Sequence, residues 1–168
     1  ELNKKNRGLG VFIIRQEDDK YKILEKSLVF IKNSGFSILA IEYLDSGNID
    51  PRLRLIKDDD NFWSSNYSIA CVAVWDDNPL SLNLRAKDIW PFWSIPLKQI
   101  GQYYYEIVPN MDNLRLLIKN SIRVKIESSL PRSLRVKYIH SADNFEEAWE
   151  YLEIIMPNKI TKIRNKKP

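Results

Sequence analysis

Apolar residues fall along the chain in short continuous runs and in helical stripes. Residues 10–14 carry Val11, Phe12, Ile13 and Ile14 in an unbroken run bounded by polar residues, the pattern of a buried strand. Over 20–34, Tyr21, Leu24, Leu28 and Ile31 recur at three and four, which predicts a helix that stops at Gly35. Residues 36–44 are apolar and branched and read as a second strand, and 45–68 has no sustained period and reads as a connecting loop. The run 69–75 is the most strand-like of all. After it, Asn78 and Pro79 fit the cap and first position of a helix extending to about Ile89, with Leu80 and Leu84 inward and Trp90-Pro91 as its stop.

Beyond that point the pattern loosens. Residues 90–132 cluster Trp90, Phe92, Trp93, Tyr103, Tyr104 and Tyr105, with a short helix predicted over 112–119. Basic and apolar residues alternate over 133–139, the mark of a half-buried strand. A final helix follows, capped by Asp143 with Glu146 three residues on, burying Phe145, Trp149, Leu152 and Ile155 until Pro157. The order strand, helix, strand, strand, helix, strand, helix predicts an α+β fold. More finely, it predicts a ferredoxin-like βαββαβ antiparallel sheet with helices mainly on one face, plus a C-terminal helix.

Composition narrows the class. A chain of 168 residues, 44% hydrophobic and 29% charged, suits one globular domain, expected over 1–158. No apolar run approaches the ~18 residues of a membrane span, so no membrane partner is expected. The chain begins at Glu1 without the pattern of a secretory leader, which sets the expectation of a cytoplasmic piece of a longer protein. The lone Cys71 sits inside the third apolar run, which excludes an internal disulfide and a cysteine zinc site and reads as core. Much of the net charge of +4 lies in 159–168, where Lys159, Lys162, Arg164, Lys166 and Lys167 read as a solvated basic tail. With no aromatic residue between those charges, nucleic acid is not an expected partner. The run Asp58-Asp59-Asp60 reads as an exposed acidic turn, and no metal site is expected from it.

Three stretches, in order, resemble the nucleoside diphosphate kinase family. Residues 11–18 with Gly35-Phe36 resemble its opening strand, its lysine-proline-aspartate turn and its second strand. Residues 71–75, ending in Trp75 and followed by Arg85, resemble the strand and helix that supply a phosphate-binding arginine. Residues 140–148, from His140 through Asp143 to Ala148, resemble the histidine motif. The resemblance implies that His140 is the catalytic nucleophile, phosphorylated by a nucleoside triphosphate and relieved by a diphosphate, chemistry that suits a neutral imidazole. It implies phosphate binding by Arg15, Arg85 and Lys137, support from Asp143 and Glu150, and Mg2+ arriving with the bound nucleotide. Self-association and a protein partner on the aromatic segment 90–105 are further expectations.

The departures from the family pattern define a second reading. Lys137 stands at the family's sugar-binding asparagine, Pro91 at a phosphate-binding threonine and Ala142 at a serine. Tyr151 occupies the place of the glutamate that orients the histidine, with Glu150 adjacent. The loop 45–68 replaces a helical hairpin, and 90–132 is longer than its counterpart. The alternative is therefore a catalytically degenerate kinase-like domain that binds nucleotide or protein and regulates a larger assembly.

Overall fold

The computed structural model describes residues 7–16, 21–44, 68–79, 111–132 and 138–166. Four strands form one sheet: β1 (Leu9–Gln16), β2 (Ser37–Leu44), β3 (Ser68–Trp75) and β4 (Ile139–Ser141), in the order β2-β3-β1-β4. Every pairing is antiparallel. Helices α1 (Ile23–Asn33), α2 (Ile118–Ser128), α3 (Phe145–Ile155) and α4 (Ile160–Lys166) complete the described elements, with 3-10 turns at Leu114–Leu117 and Pro157–Lys159. No helix among the described residues is long and apolar enough to cross a membrane.

β1 and β3 are unbroken apolar runs because they are central strands covered on both faces. Phe12 and Ile14 of β1 join Val72 and Val74 of β3 in one core, against Ile23 and Ile31 of α1 and Ile122 and Ile126 of α2. Val11 and Ile13 join Cys71 and Ala73 in a second core, against Tyr151 and Leu152 of α3 and Ile163 of α4. The two-residue period of a strand thus sends alternate side chains into two separate layers. Helices were expected mainly on one face, plus a C-terminal helix. α1 and α2 do share a face, while α3 and α4 cover the other.

The end of α1 shows how local chemistry sets a boundary. Gly35 takes φ +107°, its N–H donates to the Lys32 carbonyl, and the Phe36 N–H reaches back to the Ile31 carbonyl. These paired bonds satisfy the last turn, and Phe36 then packs in the same core as Ile31. In β2 the register slips between Ile38 and Ala40, so Leu39 is an extra residue opposite β3. That bulge lets neighbouring Leu39 and Ala40 both reach the α3/α4 layer.

Several expectations shift in register. The helix placed over 112–119 is a 3-10 turn running into α2, whose Ile118, Ile122 and Ile126 form a one-per-turn apolar stripe. The last strand was expected to end at Ile139, yet β4 continues through His140 to Ser141. The cap of α3 is Asn144 rather than Asp143, its side chain accepting from the Glu147 N–H. The buried face is accordingly Ala148, Tyr151, Leu152 and Ile155, with Phe145 and Trp149 only half-buried. The expected basic tail is folded through Lys166: Ile163 is fully buried and Arg164 lies over the Trp149 ring. Lys159 and Lys166 donate to the Ile41 and Leu39 carbonyls along the outer edge of β2, at 2.7 and 3.0 Å. On the opposite edge Arg123 donates twice to the Ile139 carbonyl of β4. Among the described strands, both outer ones thus carry cationic side chains on outward carbonyls, a protection against edge pairing. The helix expected from Pro79 to Ile89 and the segment 90–105 lie outside the described residues.

The start of β1 is held by close backbone approach. The Asp76 N–H donates to the Gly8 carbonyl at 2.8 Å, and a Cβ on Gly8 would collide with the Asp76 carbonyl oxygen. Gly8→Ala should therefore cost about 1–3 kcal/mol, the usual cost of overpacking, read as a lower urea midpoint at unchanged slope. An unchanged midpoint would show that the two backbones can part freely.

Candidate functional site

His140 lies in a row that crosses the whole sheet: Glu42 faces Cys71, Cys71 faces Ile13, and Ile13 faces His140. Residues directly opposite in an antiparallel pair share a face, so the imidazole projects into the layer covered by α3. It is 8% exposed. Nε2 stands 2.7 Å from the hydroxyl of Tyr151, with the two rings edge to face at 5.7 Å and 70°.

From Tyr151 a chain of hydrogen bonds runs back along α3. The Tyr151 hydroxyl donates to Glu147 Oε1 at 2.9 Å, the two residues being one helical turn apart. The second carboxylate oxygen of Glu147 accepts from the Asp143 N–H at 2.6 Å. Asp143 Oδ1 in turn accepts from Lys119 Nζ at 3.2 Å, at the start of α2. The Lys119 side chain is 7% exposed and that of Asp143 37%, so the cation is buried and its partner reaches water.

Burial dominates the electrostatics of this chain. It pushes the Glu147 carboxyl above its ordinary range, against the pull of the Asp143 N–H and the Tyr151 hydroxyl. It drives the Tyr151 hydroxyl far up, with Glu147 adding to the effect, so the phenol stays protonated. It lowers the Lys119 ammonium from its usual value, opposed by Asp143. The Asp112 carboxyl is also raised by burial; its Oδ2 accepts from the Phe145 N–H at 2.9 Å. Together with Asn144 on the Glu147 N–H, this means the first turn of α3 is capped by the protein's own oxygens.

A raised carboxyl gives a definite sign to pH dependence. Between its ordinary value of 4.5 and its higher folded value, Glu147 holds a proton in the native state that the unfolded chain has released. Stability from this group is therefore present in acid and declines as pH rises through that window. The difference in unfolding free energy between wild type and Glu147→Gln, followed by denaturant titration from pH 4 upward, should fall with rising pH. A difference that grew with pH would mean that the folded state favours the ionised carboxylate more than the unfolded chain does.

The expected site residues are placed as follows. Arg15 faces Ile69, hence lies on the His140 face of the neighbouring strand, two residues along from Ile13. It is 2% exposed, and its N–H donates to the Tyr138 carbonyl at 2.8 Å. Asp143 is in the chain of bonds just described. Glu150 is exposed, and the imidazole is met instead by Tyr151, the residue that the resemblance sets against an orienting glutamate. Arg85 and Lys137 lie outside the described residues. Glu147 and Lys119 were not singled out from sequence. The i, i+4 spacing of Glu147 and Tyr151 was the one signal available for the first, and nothing local marks Lys119 as buried.

Cys71 shares the row with His140 but is fully buried and free, and burial drives its thiol far above the usual range, so it supplies no nucleophile. Among the described residues no three His, Cys, Asp or Glu side chains are grouped to hold a metal ion. No family model matches the chain, and no curated protein matches it.

Proposed function

We propose that the chain is a divergent nucleoside-diphosphate-kinase-like protein that binds nucleotide phosphates and carries a phosphoryl group on His140. The observation that carries this reading is the held imidazole: the only histidine is the middle residue of the short strand β4, with one ring nitrogen fixed by Tyr151, which is itself bonded to Glu147. A histidine oriented through one nitrogen presents the other in a defined direction, as a nucleophile requires. The strand order β2-β3-β1-β4, antiparallel throughout, supports the ferredoxin-like reading of the fold.

In this scheme the ring lone pair attacks the terminal phosphorus of a nucleoside triphosphate. The P–N bond forms as the bond to the bridging oxygen breaks, and the nucleoside diphosphate leaves with that electron pair. An acceptor diphosphate then attacks the same phosphorus, and the P–N electrons return to the ring. Arg15, Arg85 and Lys137 neutralise phosphate charge in this reading. Magnesium arriving on the nucleotide would add to that neutralisation.

A second reading, a degenerate module that binds a nucleotide or a protein partner and regulates a larger assembly, is favoured by one observation. His140 and Arg15 are only 8% and 2% exposed, so neither lies open to a ligand in this conformation. Incubation with γ-labelled ATP and magnesium separates the two. The proposal expects acid-labile, base-stable label on the wild-type chain and none on His140→Ala. Saturable nucleotide binding without label would support the regulatory reading, and neither binding nor label would sink both.

A further inference from the structure

We propose that Glu147 is a positioning residue for His140, acting through the hydroxyl of Tyr151 to fix the imidazole proton on Nε2. Its functional consequence rests on the reading of His140 as phosphate acceptor; the relay itself does not.

Proton counting carries the argument. A tyrosine hydroxyl has one proton to give and lone pairs to receive with, and an ionised carboxylate can only receive. Both oxygens of Glu147 are engaged as acceptors, Oε1 from Tyr151 at 2.9 Å and Oε2 from the Asp143 N–H at 2.6 Å. The Tyr151 proton is therefore directed at Glu147, which leaves only oxygen lone pairs facing His140 Nε2 at 2.7 Å. For that contact to be a hydrogen bond, Nε2 must carry the proton, and the lone pair of the neutral ring resides on Nδ1. Burial raises the Glu147 carboxyl, and of the charged groups beside it Asp143 adds to that while the Lys119 ammonium opposes it, so the count applies at pH values where Glu147 has released its proton. The amide of Asp143 adds a donor that a protonated carboxyl would use less well.

The place of the family's orienting glutamate is thus filled by a two-bond relay. The carboxylate has moved one helical turn toward the start of α3, and a phenol spans the gap. Tyr151 is fully buried among Ala148, Leu152 and Ile155, so its ring cannot swing away from the imidazole without disturbing that layer.

A single histidine makes the test direct. Two-bond proton–nitrogen spectra of the ¹⁵N-labelled full chain, recorded where the ring is neutral, contain one imidazole pattern, which needs no assignment. The wild type should show the proton on Nε2 and none on Nδ1. Glu147→Ala frees the Tyr151 proton to point at Nε2, so the Nε2–H to Nδ1–H ratio should fall about tenfold, the worth of one good hydrogen bond. Tyr151→Phe should likewise erode the preference, while Glu147→Gln, which keeps volume and an acceptor, should retain more of it than alanine does. Should Glu147→Ala not fold, Tyr151→Phe decides the matter. A wild-type ring protonated on Nδ1, or a ratio unmoved in the folded variants, overturns the relay. No nucleotide is needed. The expected tautomer without any phosphoryl label would leave the relay standing and remove phosphotransfer. Label on a chain whose tautomer ignores Glu147 would do the reverse.

Discussion

Asp76→Ala should lower the unfolding free energy by about 3–5 kcal/mol, the cost of stripping one partner from a buried ion pair. Asp76 sits at the end of β3, where its Oδ2 accepts from Arg115 Nε at 2.7 Å and from Asn113 Nδ2 at 2.9 Å, and its Oδ1 from the Asn78 N–H at 3.0 Å. The side chains of Asp76 and Arg115 are 2% and 11% exposed, so water cannot readily replace what is removed. Arg115 also donates to the Ser34 carbonyl at the end of α1 and to the Asn78 carbonyl. One guanidinium thus ties the turn before α2, the end of β3 and the end of α1 together. A loss of this size is a large share of the ~5–15 kcal/mol that holds a typical domain folded. Chemical denaturation should show Asp76→Asn losing less, because it keeps acceptors for part of the network. The pair Asp76→Ala/Arg115→Met should recover some of the loss, because no buried charge is then left alone. A cost below about 1 kcal/mol for Asp76→Ala would place the pair among surface bridges of little worth.

The second large effect is functional and all-or-none. His140→Ala should remove phosphoryl label completely, because it is the only histidine and the lone cysteine is buried with a thiol that stays protonated. Folding should survive the change. Tyr151 keeps its bond to Glu147 when the imidazole is gone, so the buried hydroxyl is not orphaned. His140→Gln is the companion variant, since it returns a polar group to the Tyr151 hydroxyl while lacking a nucleophilic ring. Both should retain the wild-type denaturation slope, and both should be unlabelled. Label persisting on either folded variant would place the chemistry on another residue.

The fold was legible where one cause decided the pattern. β1 and β3 are unbroken apolar runs because both of their faces are covered, and Gly35 announces the end of α1 because its φ of +107° suits glycine. The cap of α3 was ambiguous for a chemical reason. Asp143 with Glu146 and Asn144 with Glu147 both satisfy the cap-and-acid spacing, and in the structure it is the Asn144 side chain that accepts from the Glu147 N–H. Tyr151, an apparent loss in sequence, is the partner of the imidazole because it lies on the buried face of α3. In the last helix, the density of lysine and arginine concealed Ile160 and Ile163, which share the α3 layer. Two of those lysines are used for the carbonyls of the edge strand rather than for solvent. The α2 stripe of Ile118, Ile122 and Ile126 was visible but narrow, and the polar residues between its members hid it. Lys119 was illegible for a deeper reason. Whether a lysine is buried depends on what the fold brings to it, here Asp143 from 24 residues away.

The most direct measurement of the central proposal is a chase. The chain is first labelled from γ-labelled ATP with magnesium, freed of nucleotide, and then given an unlabelled nucleoside diphosphate. The account predicts that label leaves the protein and appears in the corresponding triphosphate. Label that never forms on a nucleotide-bound chain, or that forms and stays on the protein when the diphosphate is added, would contradict it.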